Sequence, residues 1–331
     1  FQEFPILSVF ANLLVVPLLG FIILPAGLLG SMGVPGALAT TENACEIFWG
    51  TLSLLEGPVL HPAVGPTGAL GLILSVLFMR QPRLWGVLVL LSLGLKKTPT
   101  QGLTSTHFDV GQGDASLVEI AGKTRVLIDA GPRENQVLHA LRRKGIRRLD
   151  ALILSHDHLD HSAGIPAILR NLDVGCLLLP DPQAASTVAQ EIRRIAQENE
   201  IPSCHRERPV PSFRTLQLTD ASLGTNNRSI VVEVSHKGRR FLYPGDLEES
   251  GEELLLHEFR PVDGLKVAHH GSRGSTSKSF LLHTEPRICV ISSGVQNSYG
   301  HPHTGTLARL KTCEILRTSQ LGDVVVHLPE R

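Results

Sequence analysis

The chain has 331 residues, 42% of them hydrophobic, a mass of 35.9 kDa and a mean hydropathy of +0.11. It is too apolar to be disordered or fibrous and longer than one compact core needs, so two physical environments are expected. Lys and Arg total 31, as do Asp and Glu; the resulting formal net charge of +0 excludes a global basic field for nucleic acid and leaves only local patches.

In chain order, residues 4–29 carry no charged side chain, a run longer than the ~20 apolar helical residues that cross a ~30 Å hydrocarbon layer. Pro17 and Pro25 are compatible with a span if neighbouring helices or water satisfy the freed carbonyls. A second apolar region, 67–95, is divided by Arg80, Gln81, Pro82 and Arg83 into two arms, each short for a full crossing. A re-entrant hairpin fits it as well as two thin helices. A buried helical hairpin of a soluble protein is the competing reading, and the length of the first run speaks against it. The intervening loop holds Glu42, Glu46 and Glu56 but no Lys or Arg, which places it outside. If both arms cross, the rest of the chain emerges on that outer face, although Lys96 and Lys97 pull the other way. The chain begins with Phe1, so it reads as a possible fragment whose start says nothing about a signal peptide.

From about residue 101 short β-rich runs alternate with helical patterns, as expected of an α/β domain. Strands are predicted at 107–110 continuing into 115–120, then at 125–128, 151–155, 176–179, 229–234, 240–243, 265–268, 289–292 and 324–327. Helices are predicted at 184–198, 248–258 and 304–311, with another starting near Gly164. Cys45, Cys176, Cys204, Cys289 and Cys313 are scattered, odd in number and without a CxxC, which predicts small core residues rather than disulfides or a thiolate zinc site. Fifteen histidines against two Trp and two Tyr are the compositional oddity, because imidazole is the commonest metal ligand at neutral pH.

The chemistry concentrates at His156-Asp157-His158-Leu159-Asp160-His161, directly after a predicted strand. Four potential ligands in six residues let His156 and His158 face one metal while Asp160 and His161 reach a second, a donor mixture suited to Zn²⁺, Mn²⁺ or Fe²⁺ rather than Ca²⁺. This HxHxDH order resembles the metallo-β-lactamase superfamily, which implies an αββα sandwich. Three further segments fit that resemblance. Asp129, closing Leu127-Ile128-Asp129-Ala130-Gly131, matches a carboxylate that braces the metal loop. Asp246, in Pro244-Gly245-Asp246-Leu247, matches the carboxylate that bridges both metals. His269 and His270, in Val267-Ala268-His269-His270-Gly271-Ser272, fall where the last metal-binding His is expected.

Finer segments, Phe108-Asp109-Val110-Gly111-Gln112-Gly113-Asp114, Asn227-Arg228-Ser229, Asn297-Ser298-Tyr299-Gly300-His301-Pro302 and Ala11-Asn12-Leu13-Leu14-Val15-Val16-Pro17-Leu18, resemble the ComEC family of competence proteins. That resemblance implies residues 1–100 as the end of a membrane-embedded channel domain and residues 101–331 as a metallo-β-lactamase-like hydrolase. It further implies DNA as substrate, a multi-pass place in the plasma membrane with the hydrolase on the extracytoplasmic face, and as partners the missing N-terminal channel domain and other DNA-uptake proteins.

The implied site holds two divalent metal ions, Zn or Mn, on His156, His158, Asp160, His161, Asp246 and His269. Asp160, Asp246, His270 and His301 form the catalytic set, with His301 aimed at the phosphate and His303 a weaker choice. Which of His269 and His270 binds metal stays open, since only one of an adjacent pair easily faces the site from a strand end. The family pattern departs at one point: between HxHxDH and Asp246 only His205 and His236 are available as a third His, and the Asn227–Ser229 stretch occupies that place. Either a neutral oxygen or water completes the first metal, or that metal binds weakly. Asp109 and Asp114 are read as supports. Arg142, Arg143, Lys144, Arg147 and Arg148, and separately Arg273 and Lys278, could meet phosphate, while the first group also suits a helix end. An esterase, thioesterase or lactamase, and an inert gate on a channel, remain the alternatives to a nuclease.

Overall fold

The computed structural model describes residues 16–54 and 101–331, apart from 182, 183, 185 and 221, together with the backbone of Phe4–Pro5 and Val59–Leu60. The chain divides into two compact units, Phe1–Lys97 and Thr98–Arg331.

In the first unit a wide helical turn at Leu19–Ile23 leads into α1, Leu24–Ser31, followed by α2, Ala37–Leu54. Pro25 sits in the first turn of α1, where its missing N–H would have had no partner anyway. Apolar side chains point outward, with Phe21 83% and Met32 73% exposed. Among the described residues no helix is long and apolar enough to cross a membrane. The acidic loop expected around Glu42 and Glu46 is helical instead, both residues lying within α2; Ala, Leu and Glu favour helix over an open connection. The expectations for 6–15 and 67–95, and for Glu56, Arg80, Arg83, Lys96 and Lys97, fall outside the described residues.

The second unit is built on two six-stranded sheets. The strands of the first are β1 Leu103–His107, β2 Ser116–Ile120, β3 Thr124–Ile128, β4 Ala151–Ile153 and β5 Leu177–Leu178, with the C-terminal β12, Val324–Leu328, at one edge. Their spatial order is β12-β1-β2-β3-β4-β5. The second sheet runs β6 Phe213–Leu216, β7 Val231–His236, β8 Arg239–Tyr243, β9 Gly264–Lys266, β10 Ile288–Ile291 and β11 Glu314–Arg317, in that order. β3 and β4 are parallel, as are β8 to β11 in succession.

Strand alternation sorts the apolar side chains into three layers. Val118, Val126, Ile128 and Ile153 meet Val232, Val234, Phe241 and Tyr243 between the sheets. The opposite faces carry Leu117, Leu127 and Leu152 under helices α3 Gln136–Arg143, α5 Ile165–Asn171 and α6 Thr187–Glu198. On the far side Val231, Leu242, Leu265 and Ile291 lie under Leu247, Leu255, Phe280 and Leu310. The result is helix, sheet, sheet, helix, the α/β architecture expected of residues 101–331.

Several details differ from the sequence reading. The first predicted strand stops at His107, and residues 108–115 form a loop before β2. β6, β11 and helix α8, Lys278–Thr284, lay outside the predicted elements. Four of the five cysteines are disulfide-bonded, Cys176 to Cys204 and Cys289 to Cys313, leaving Cys45 free. The expectation of unbridged cysteines fails because pairing is set by the sheet. The Cys204 N–H donates to the Leu177 carbonyl beside Cys176, and Cys313 immediately precedes β11, the strand paired with β10 and Cys289. Arg142 and Arg143 occupy the last turn of α3, favourable to its dipole. Arg142 donates to Asn171, and Arg148 pairs with Asp173.

Candidate metal centre

The C-terminal ends of β3, β4, β8, β9 and β10 supply the residues that meet here, as strand ends do in α/β ligand sites. Directly after β3, Asp129 accepts from the Ser155 N–H at 2.7 Å, the Ser155 hydroxyl at 2.8 Å and His161 Nδ1 at 2.9 Å. Burial pushes its carboxyl up, with His161 and Ser155 pulling the other way. The chain after β4 carries Ser155 and His156 and then enters the short helix α4, Leu159–Ser162, which holds Asp160 and His161. The His156 and His161 rings lie 4.2 Å apart between centroids, and His156 Nε2 is 3.0 Å from His158 Nδ1.

β8 ends in the tight turn at Gly245, where φ is +60° and a Cβ would sit 3.0 Å from both Ser155 and Ser229. Glycine meets both the left-handed backbone and the tight space there, and the turn delivers Asp246, 2% exposed, into the centre. Asp246 Oδ2 lies 3.7 Å from His156 Nε2, 3.6 Å from His269 Nε2 and 3.7 Å from His270 Nε2, while Oδ1 is 3.4 Å from His161 Nε2. Asp160 Oδ2 is 3.2 Å from His270 Nε2 and 3.8 Å from His161 Nε2.

After β9 the backbone leaves the extended region. His269 (φ +48°) and His270 (φ +53°) both adopt the left-handed conformation, followed by Gly271 at +82°. In a continuing strand adjacent side chains would point to opposite faces; this turn aims both imidazoles at Asp246. The expectation that only one of the pair faces the centre is therefore corrected.

Asp114, His161, Asp246 and His270 each offer a ligand atom within 4.8 Å of the others, and all four are buried. Asp114, read from sequence as a support, is thus part of the cluster. Its other oxygen takes a 2.6 Å bond from the Lys266 ammonium, itself 2% exposed. Sequence reasoning missed Lys266; its signal was a lone cation inside a predicted apolar strand. His158 is exposed and reaches the group only through His156. The Asn227 amide accepts from the Glu248 N–H and donates to Ser250, so it secures the start of helix α7, Glu249–Leu254. Asp109 closes a turn on the Gly111 N–H. His303 Nδ1 caps helix α9, Thr304–Arg309. His301 meets His269 edge-on at 5.6 Å and lies nearly parallel to His270 at 6.3 Å.

The charge balance of the cluster calls for a cation. Burial alone would push the Asp246 carboxyl up, yet His161 and His270 overcome it and hold the group well below the usual carboxylate range. Burial opposes a proton on His161, but Asp246 and Asp129 outweigh it and push that imidazole well up. His270 is pushed up to about 9 by Asp246 and Asp114 against the same burial. His156 is driven well down by burial and by His161. Positive charge is wanted, and a metal ion would take the place of those protons. The donor set fits such an ion. His161 Nδ1 is held by Asp129, His270 Nδ1 lies 3.0 Å from the Ser292 carbonyl, and His156 Nδ1 is 3.1 Å from the Ser155 hydroxyl. Each ring therefore turns Nε2 inward, the outer-partner arrangement typical of metal-binding histidines. His161 Nε2, Asp246 Oδ1 and Asp114 Oδ1 are buried without any hydrogen-bond partner, orphans that a cation would satisfy. Beside His156 a 230 Å³ hollow is lined by residues including Asp157, Thr225 and Arg228, and Arg228 Nε is buried and unpartnered.

Comparison with known proteins gives two family matches: the metallo-β-lactamase superfamily over residues 108–178 and the competence protein family over residues 1–95. The chain is 32% identical to ComE operon protein 3 of Bacillus subtilis over 253 residues, 67% of this chain and 33% of that protein. It is 29% identical to competence protein ComA of Neisseria gonorrhoeae over 345 residues, 97% of this chain and 48% of that one. A shorter stretch of 59 residues is 49% identical to ribonuclease Z of Bradyrhizobium diazoefficiens, covering 18% of this chain and 19% of the relative. The chain thus spans about half or less of the length of these relatives.

Proposed function

Since the chain belongs to the competence protein family and carries a metallo-β-lactamase-fold domain, we propose that it is a metal-dependent phosphodiesterase, a nuclease that degrades one DNA strand during uptake across the plasma membrane. The observation that carries this reading is the convergence of His156, His161, His269 and His270 on Asp246, with His161 Nε2 and Asp246 Oδ1 left without a hydrogen-bond partner.

In this proposal His156 and His158 would hold one divalent ion and Asp160 with His161 another, with His269 or His270 and Asp246 completing the donor set. Zn²⁺ or Mn²⁺, when bound, would supply Lewis acidity, lowering the pKa of water from ~15.7 towards ~7 and offsetting phosphate charge. The protein's own residues do the rest. Asp129 fixes the His161 ring so that Nε2 stays directed at Asp246. The Lys266 ammonium keeps Asp114 ionised beside His270. His301, drawn down to about 4 by burial and the neighbouring His270, is neutral at pH 7 and donates a hydrogen bond to the phosphate. Arg228, whose Nε lacks a hydrogen-bond partner and which lines the hollow beside His156, meets the charge of the strand. The two disulfides are at home in an oxidising compartment, which favours the extracytoplasmic side of the membrane for this domain. The exposed apolar side chains of the first unit suit lipid or the remainder of a channel domain, and other DNA-uptake proteins are the partners this reading implies.

The test is cleavage of end-labelled DNA by the purified chain with Mn²⁺ or Zn²⁺, beside a panel of carboxylic esters, thioesters and lactams. DNA cleavage that disappears with a chelator and returns with metal supports the proposal. Hydrolysis of the small substrates without DNA cleavage, or no tightly held metal and no cleavage at all, would replace it with a different hydrolase or with an inert gate.

A further inference from the structure

The chain has only two tyrosines, and the structure uses them differently. Tyr243 is buried between the sheets, its hydroxyl donating to Ser105 at 2.6 Å. Tyr299 is 70% exposed, although it stands close to the buried centre. Its ring stacks on His301 with centroids 5.7 Å apart and an interplanar angle of 24°. His301 in turn stacks on His270 at 6.3 Å and 29°. The three rings form a row that begins at the cluster and ends in solvent.

The loop carrying Tyr299 is tightly held. The Asn297 side chain donates to the Gly294 and His301 carbonyls and accepts the His301 N–H at 2.8 Å. The His303 N–H donates to the Gly271 carbonyl at 2.8 Å. Pro302 packs so closely on Gly271 that a Cβ there would come within 2.7 Å of it. A large aromatic ring left open to water on such a pinned loop, with one side on His301, offers its exposed surface to a planar partner.

We propose that Tyr299 is a stacking platform for a nucleobase adjoining the scissile phosphate, a positioning residue that makes a single nucleic acid strand, rather than any phosphodiester, the substrate of this centre. The inference rests on the phosphodiesterase reading above and deepens it. Stacking uses a π-face that all bases share, so the platform is tolerant of sequence. With one aromatic ring and no row of them, it fixes one nucleotide beside the centre.

The experiment uses the full chain loaded with Mn²⁺ and two strands of equal length, an ordinary single-stranded DNA and one of abasic residues that keeps the phosphodiesters but has no rings. Tyr299→Ala should raise KM for the ordinary strand between about fivefold and about a hundredfold, the range for loss of one base–aromatic stack, with kcat little changed. Tyr299→Phe should keep the parent KM, and the KM penalty of Tyr299→Ala should be several-fold smaller on the abasic strand than on the ordinary one. Equal KM for parent and Tyr299→Ala on the ordinary strand, or an equal penalty on both strands, would overturn the platform while leaving the nuclease intact. Failure of the parent itself to cleave or bind either strand would overturn the phosphodiesterase reading, and the platform with it.

Discussion

The turn after β4 and the turn after β9 both bring imidazoles to Asp246, and they do so by opposite means. The first spreads its donors along an ordinary loop and the short helix α4, with His158 extended at φ −109° and the loop braced from below by Asp129. The second places two donors side by side by forcing His269 and His270 into left-handed backbone, a conformation that costs non-glycine residues about 1–2 kcal/mol each. One turn is braced by the Asp129 side chain and by backbone bonds from Ala130 and Asp114 to the His161 and Asp160 carbonyls; the other is a backbone device held by Gly271 and Pro302.

The largest effect is expected where the two turns meet. Asp246→Ala removes the carboxylate both sets of histidines face, and should abolish hydrolysis and lower metal content measured by elemental analysis, with the circular dichroism spectrum retained. Near-parent activity would remove Asp246 from the centre. Next, Asp129→Asn strikes only the first turn. It should weaken metal affinity by about 10- to 100-fold, as loss of a ligand's outer partner does, read in a competition titration with a chelator. Gly271→Ala strikes only the second turn. A methyl group at φ +82°, 2.7 Å from Pro302, should cost about 1–3 kcal/mol of stability, measured by denaturant midpoint; an unchanged midpoint would mean that the turn is not held as described.

The smallest effect belongs to neither turn and serves as the control for acid. His107, 1% exposed between Ser105 and Ser116, is drawn down to about 3 by burial and then by Lys266. Above pH 6.5 it is neutral whether folded or unfolded and contributes no pH dependence. Below pH 6.5 the unfolded chain gains a proton that the folded chain refuses until about pH 3. Stability is therefore present above 6.5 and lost as pH falls through that window, by about 2 kcal/mol at pH 5. His107→Gln should flatten the acid slope of the melting temperature between pH 6.5 and 5, and an unchanged slope would assign acid sensitivity to the histidines of the two turns.

The same contrast governs what could be read from sequence. HxHxDH advertises itself because its donors sit close together in the chain, and Gly-Asp and HHGS follow in a consistent order. Strand and helix alternation indicates an α/β domain, and the four-layer arrangement is what the HxHxDH resemblance implies. The paired facing of His269 and His270 was hidden, because sequence alternation assumes extended backbone and only the following glycine hints otherwise. Lys266 was hidden because its partner Asp114 lies 152 residues away. The disulfides were hidden for the same reason: their sulfurs are matched by strand pairing across separations of 28 and 24 residues. Asn227, which sequence position marked for the centre, is committed to the start of α7.

The cystine pairs also bear on how variants should be compared. Each closes a loop whose loss of denatured-state freedom is worth about 3 kcal/mol, as much as the larger substitution effects above. Protein made in a reducing cytosol would lack both ties, and a sample exposed to thiols would lose them by degrees. Stability differences between preparations are therefore meaningful only when their free-thiol counts agree.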